Sequence, residues 1–130
     1  MELFCEEAPR SCWNFLALCG SGAYDGTVFH RNLAGFMVQG GNGDGDSVWG
    51  ASFEDEFHAR LRHDKRGILS MASKGPGTNG RQFFITYDRH DHLDDVYSVF
   101  GHVIDGFDTL DAMERAPVQG KKGKPVAGQE

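Results

Sequence analysis

The chain contains no apolar run near the roughly 18 residues that a membrane-crossing helix requires, so a transmembrane segment is not expected. It is also short of positive charge. Lys and Arg number 13 against 19 Asp and Glu, a formal charge of -6, which opposes the phosphate neutralisation on which nucleic-acid binding rests. There are only three cysteines, Cys5, Cys12 and Cys19. An odd count without paired spacing fits reduced thiols in a cytoplasmic or nuclear protein. The N-terminus lacks the basic, apolar and small-residue regions of a secretory signal, so secretion is not expected. No CxxC, HExxH, Walker or nucleophile-elbow pattern occurs, and His90-Asp91-His92 is an isolated cluster in a polar stretch. Neither a metal site nor a covalent mechanism is expected. The single run GGNGDGD, from Gly40 to Asp46, reads as a loop, because calcium-binding repeats of that composition need several tandem copies.

What is present suits one domain. A length of 130 residues, with 39% hydrophobic residues and ten Phe, supplies enough apolar surface for a single core. From Pro9 to Cys19, the set Cys12, Phe15, Leu16 and Cys19 follows the spacing of one helical face, with Pro9 in the first turn and Gly20 and Gly22 at the end. Thr27–Arg31 and Phe36–Gln39 read as paired strands around Asn32–Gly35, and Gly67–Ala72 and Arg81–Tyr87 as a second pair. Ser98–Ile104 reads as a further strand. A second helix is expected over Phe107–Arg115, with Phe107, Leu110 and Met113 on one side and Pro117 stopping it. After Pro117 the only aliphatic side chains larger than Ala are Val118 and Val126, so residues 119–130 read as a flexible tail. Two helices and several short strands indicate a mainly β domain, and periodicity leaves barrel and sandwich both open.

The segment FHRNLAGFMVQGG, Phe29 to Gly41, sets a guanidinium, an amide and large apolar side chains within eleven residues, a mixture suited to a pocket. On residue type alone, Arg31 could equally be a surface cation paired with a carboxylate, and Phe36, Met37 and Phe84 could simply be core. With SMASKGPGTNGRQFFIT, from Ser70 to Thr86, and LDDVYSVFGHVIDG, from Leu93, this segment resembles the cyclophilin family of peptidyl-prolyl cis-trans isomerases. The N-terminal MELFCEEAPRSCWNFLALC and the HLDDVYSVFGHVIDGFDTLDAME segment are most similar to the peptidyl-prolyl isomerase-like 3 subgroup, members of which associate with the spliceosome.

The resemblance covers about residues 1–118. It implies an eight-stranded antiparallel β-barrel capped by two α-helices, here incomplete at both ends. Met1–Phe4 matches the end of the family's second strand, and no counterpart of the closing strand follows Pro125. It implies isomerisation of X-Pro bonds in peptides and proteins, no cofactor, proline-containing partners, and spliceosomal proteins among them. The alternative it leaves is a weak or inactive proline-peptide-binding module in a spliceosomal assembly. Arg31, Gln39 and His30 match catalytic positions. Phe36, Met37, Phe84 and Leu93 match the proline pocket, and Ala72 and Ser73 the edge that pairs with the peptide. Gln82 matches the glutamine that supports Arg31, and Tyr97 stands at the rim. His92 stands where many members carry the tryptophan that holds cyclosporin, which implies weak binding of that drug.

Overall fold

In the computed structural model, residues 1–41, 47–119 and 124–125 are described. Most of the glycine-rich loop expected after Gln39 and most of the expected tail lie outside these residues. The elements in chain order are β1 (Glu2–Leu3), α1 (Pro9–Gly20), β2 (Arg31–Leu33), β3 (Met37–Gly40), β4 (Ile68–Met71), β5 (Phe83–Thr86), a 3-10 turn at Asp91–Leu93, β6 (Val99–His102), α2 (Phe107–Arg115), β7 (Val118–Gln119) and β8 (Lys124–Pro125). Among the described residues no helix is long and apolar enough to cross a membrane.

Six strands form one antiparallel sheet in the order β1-β6-β4-β5-β3-β2, and β7 pairs with β8 in a separate ribbon. Mainly β with two helices is therefore the fold class, as expected, and the described strands do not close a barrel. β1 and β2 stand at opposite edges of the sheet. Met1–Phe4 does serve as an edge strand: Glu2 lies opposite His102 and Leu3 opposite Gly101.

Three details differ from the sequence reading. The strand expected over Thr27–Arg31 begins at Arg31 and runs to Leu33, because the turn that closes the β2–β3 hairpin sits later, at Ala34–Phe36. There Gly35 takes φ 76°, a conformation glycine adopts without steric cost, and the Phe36 N–H donates to the Leu33 carbonyl at 2.9 Å. The buried face of α1 is Ser11, Cys12, Asn14, Phe15 and Leu18, whereas Leu16 and Cys19 face solvent. Apolar spacing alone admitted Leu16, but the helix packs through the row next to it. In α2 only Leu110 is fully buried, with Met113 packed against the core and Phe107 40% exposed.

The sheet has two faces with different partners. Val38, Leu69, Met71, Phe83, Ile85 and Phe100 join Cys12 and Phe15 of α1 and Leu110 of α2 in the main core. The Cys12 thiol donates to the Phe100 carbonyl at 3.4 Å, and burial pushes its pKa up to about 12. At the far edge, Asn32 Nδ2 donates to the Met113 carbonyl at 2.6 Å, tying α2 to β2. Side chains alternate across a strand, so every inward residue has neighbours that point the other way. On that second face, Met37, Phe84 and Leu93 gather with Phe36, Ala72 and Tyr97 in a smaller cluster.

Candidate active site

The register of four strands builds the site. Arg31 of β2 lies opposite Gln39 of β3, Gln39 opposite Phe84 of β5, and Phe84 opposite Ser70 of β4. Directly opposed residues of antiparallel strands share a face. The guanidinium, the amide and the aromatic ring therefore stand in one row on the face away from the core. Met37, two residues before Gln39, shares that face.

A cavity of about 310 Å³ opens over this row, lined by Arg31, Phe36, Met37, Gln39, Ala72, Ser73, Phe84, Leu93 and Tyr97. Each of these is a position carried over from the family resemblance. The floor is apolar and nearly buried: Met37 is 4% exposed, Phe84 5% and Leu93 7%. Tyr97 sets its ring edge against Phe84 with centroids 5.6 Å apart. The rim is polar, with Arg31 and Gln39 on one side and Ser73 on the other. Ala72 is held by the residue before β5, its N–H donating to the Gln82 carbonyl at 3.0 Å.

The other three expected residues, Gln82, His30 and His92, stand around this cavity. Gln82 accepts a hydrogen bond from Gln39 Nε2 at 2.7 Å behind the rim, and the His30 side chain stands next to it. Burial lowers the pKa of His30, the charge of Arg31 lowers it further, and Gln82 beside it opposes both. The imidazole is therefore biased towards its neutral form. His92 is exposed on the 3-10 turn and stacks on the Phe36 ring at 6.2 Å, outside the cavity wall. His90 packs edge-on against the same ring at 4.9 Å, and its Nε2 lies 3.2 Å from the Phe36 carbonyl.

One group was missed by the sequence reading. His63 is fully buried and lies parallel to the Phe84 ring, centroids 5.9 Å apart and planes 11° apart. Its Nδ1 is 3.0 Å from Asp94 Oδ1, its Nε2 is 2.9 Å from Ser70 Oγ, and its backbone N–H donates to Asp94 Oδ1 at 2.7 Å. Burial lowers the pKa of His63 more than Asp94 raises it, so the ring is neutral. Burial also opposes ionisation of Asp94, but the two hydrogen bonds from His63 and the charge of Arg62 overcome it and lower that pKa. His63 thus joins Phe84 of the cavity floor to Ser70 of β4 and to Asp94, the neighbour of Leu93. Alternation along the strand could have placed Ser70 on the face away from Leu69 and Met71, but not opposite Phe84. His63 lies in a polar stretch with no periodicity to mark it. Its Ser–His–Asp order does not make a nucleophile, because Ser70 is wholly buried.

Among the described residues there is no group of three or more His, Cys, Asp or Glu that could hold a metal ion. The chemistry left to the site is that of a hydrophobic slot beside a fixed cation and amide.

Comparison with known proteins bears on this geometry. The family model of cyclophilin type peptidyl-prolyl cis-trans isomerases matches residues 1–128. The chain is 56% identical to peptidyl-prolyl cis-trans isomerase-like 3 of Gallus gallus and 53% identical to that of Homo sapiens, over 97% of this chain and 81% of each relative. It is similar in structure to a cyclophilin type peptidyl-prolyl cis-trans isomerase of Cryptosporidium parvum, crystallised in the presence of the dipeptide Ala-Pro. The TM-score is 0.92 at 49% identity, covering 97% of this chain and 84% of the other.

Proposed function

The chain belongs to the family of cyclophilin-type peptidyl-prolyl cis-trans isomerases, and from that premise we propose that it turns X-Pro bonds in the cavity between Arg31 and Phe84. An X-Pro bond rotates over a barrier of about 18–20 kcal/mol because amide resonance must be broken. No proton or electron pair changes owner between the two isomers. Catalysis therefore needs only groups that hold the twisted bond better than either planar one.

The row Arg31–Gln39–Phe84 carries this reading. Met37, Phe84 and Leu93, with Phe36, take the proline ring and hold that side of the bond still. As the amide twists, its nitrogen regains a lone pair, and the guanidinium of Arg31 donates to it. A planar fork fixed on a strand suits that task better than a mobile ammonium. Gln39, oriented by Gln82, donates to the substrate backbone. The half-buried edge at Ala72 and Ser73 pairs with the extended peptide, leaving the residue before proline free to turn.

Exchange NMR on an Ala-Pro peptide tests this. The chain should broaden the cis and trans signals, and Arg31→Ala should remove most of that effect while keeping the fold. Binding with no exchange would instead leave a peptide-binding module, and full exchange with Arg31→Ala would remove the role given to the guanidinium.

We also propose spliceosomal proteins as partners and a cytoplasmic or nuclear location. Support comes from the likeness to the isomerase-like 3 subgroup and from the absence of disulfides among Cys5, Cys12 and Cys19. Co-precipitation from nuclear extract with and without a competing proline peptide is the corresponding test. Weak cyclosporin binding follows from His92, and His92→Trp should tighten it in a calorimetric titration.

A further inference from the structure

A second cavity, of about 230 Å³, opens beside the first and shares Ser73 and Tyr97 with it. Its remaining wall comes from three loops, which carry Phe57, Pro76 and Val96. Phe57 is 46% exposed and Val96 51%, large apolar side chains left facing water next to a substrate cavity. Its two charged lining residues are Asp55 and Asp95, and no basic side chain lines it.

The walls are held in place. Asp55 accepts from the Gly77 N–H at 3.1 Å and from Asn79 Nδ2 at 2.8 Å, fixing the loop that carries Pro76. Asp95 pairs with Arg62 at 2.9 Å and has φ 59°, the left-handed region. That turn lets both the Val96 and Tyr97 N–H groups donate to the Leu93 carbonyl, at 3.2 Å each. Leu93 belongs to the proline cavity, so the two cavities share one support.

An extended peptide advances about 3.3–3.6 Å per residue. With proline seated over Phe84, side chains close to it along the chain must meet surface continuous with that cavity. We propose that the second cavity is a subsite for a large apolar side chain flanking the substrate proline, and that it rejects Asp and Glu there. An aliphatic side chain would cover Phe57 and Val96 and take its own surface out of water. A carboxylate would lose its hydration and face Asp55 and Asp95. The proposal rests on the isomerase reading and adds a substrate preference to it.

The test is kcat/KM by exchange NMR for a peptide series in which each position flanking proline is in turn Ala, Leu, Glu or Lys, with the whole chain and with Phe57→Ser and Val96→Ser. At one position Leu should exceed Ala by about tenfold, and Glu should fall below Ala. Both exposed-residue variants should flatten the Leu advantage while keeping the rate on the Ala-flanked peptide. Equal rates for Ala, Leu and Glu at every position would overturn the subsite. So would a preference for Lys over Leu, or a Leu advantage that survives both variants. A chain inactive on the Ala-flanked peptide itself would remove the isomerase reading and the subsite with it, a result distinct from lost selectivity.

Discussion

Phe83 and Phe84 are adjacent in the chain and similarly hidden, at 8% and 5% exposure, yet they serve different bodies of side chains. Phe83 meets Phe15, Tyr24 and Phe29 at 5.2, 5.5 and 6.0 Å on the core face. Phe84 meets His63 and Tyr97 on the other face and floors the cavity. The comparison extends across the sheet: Val38 against Met37 and Gln39, Leu69 and Met71 against Ser70. One face is closed by two helices and exists to be stable. The other is closed by loops and left partly open, with polar groups at its rim. Burial alone therefore says little about the task of a residue here; the face it points to says more.

This comparison can be broken by experiment. The largest expected effect is Phe83→Ala, which should cost about 3–5 kcal/mol in urea unfolding, a large share of a typical stability of about 5–15 kcal/mol, while the folded fraction keeps its kcat/KM. Arg31→Ala should do the reverse, lowering kcat/KM by about 100-fold or more with little change in melting temperature. If Arg31→Ala unfolded the chain, or Phe83→Ala slowed catalysis per folded molecule, the two faces would not be separable in this way.

A third prediction concerns pH. The folded pKa of His63 lies below its ordinary value of 6.5, so the stability it contributes is fully present above that value and is lost as pH falls through it. Urea stability should decline between about pH 7.5 and pH 5.5. His63→Gln should decline less, and the remainder belongs partly to His30, which shifts in the same direction. Asp94 does not confuse this window, since its lowered pKa places its contribution below the ordinary carboxylate value of 3.8. An unchanged slope in His63→Gln would deny the neutral, buried ring. The smallest effect is on α1: Leu16→Ser should change stability by no more than about 0.5 kcal/mol, against about 2–5 kcal/mol for Leu18→Ala. Equal costs would restore the helical face read from apolar spacing.

Much of the site was legible because its residues lie in short segments of distinctive composition. FHRNLAGFMVQGG and SMASKGPGTNGRQFFIT together hold most of the cavity wall. The helices were legible too, since Pro9, Gly20, Gly22 and Pro117 mark their ends by backbone chemistry that needs no partner. The register Arg31↔Gln39↔Phe84↔Ser70 was not, because pairing across 45 residues depends on which strands become neighbours. The buried row of α1 was misjudged for the same reason: Leu16 and Leu18 are alike in kind, and only the position of the sheet separates them. His63 left no trace, as a histidine in a polar run is ordinarily solvated.

Sequence alone thus determined the alternation along each strand, the limits of both helices and the residue types from which the site is made. These depend on interactions within a few residues. Tertiary structure decided which face of α1 is covered, which carboxylate and hydroxyl hold His63, and that a second apolar cavity opens beside the first. Those outcomes come from side chains distant in the chain meeting at 3–6 Å, and such distances are set only when the sheet has formed.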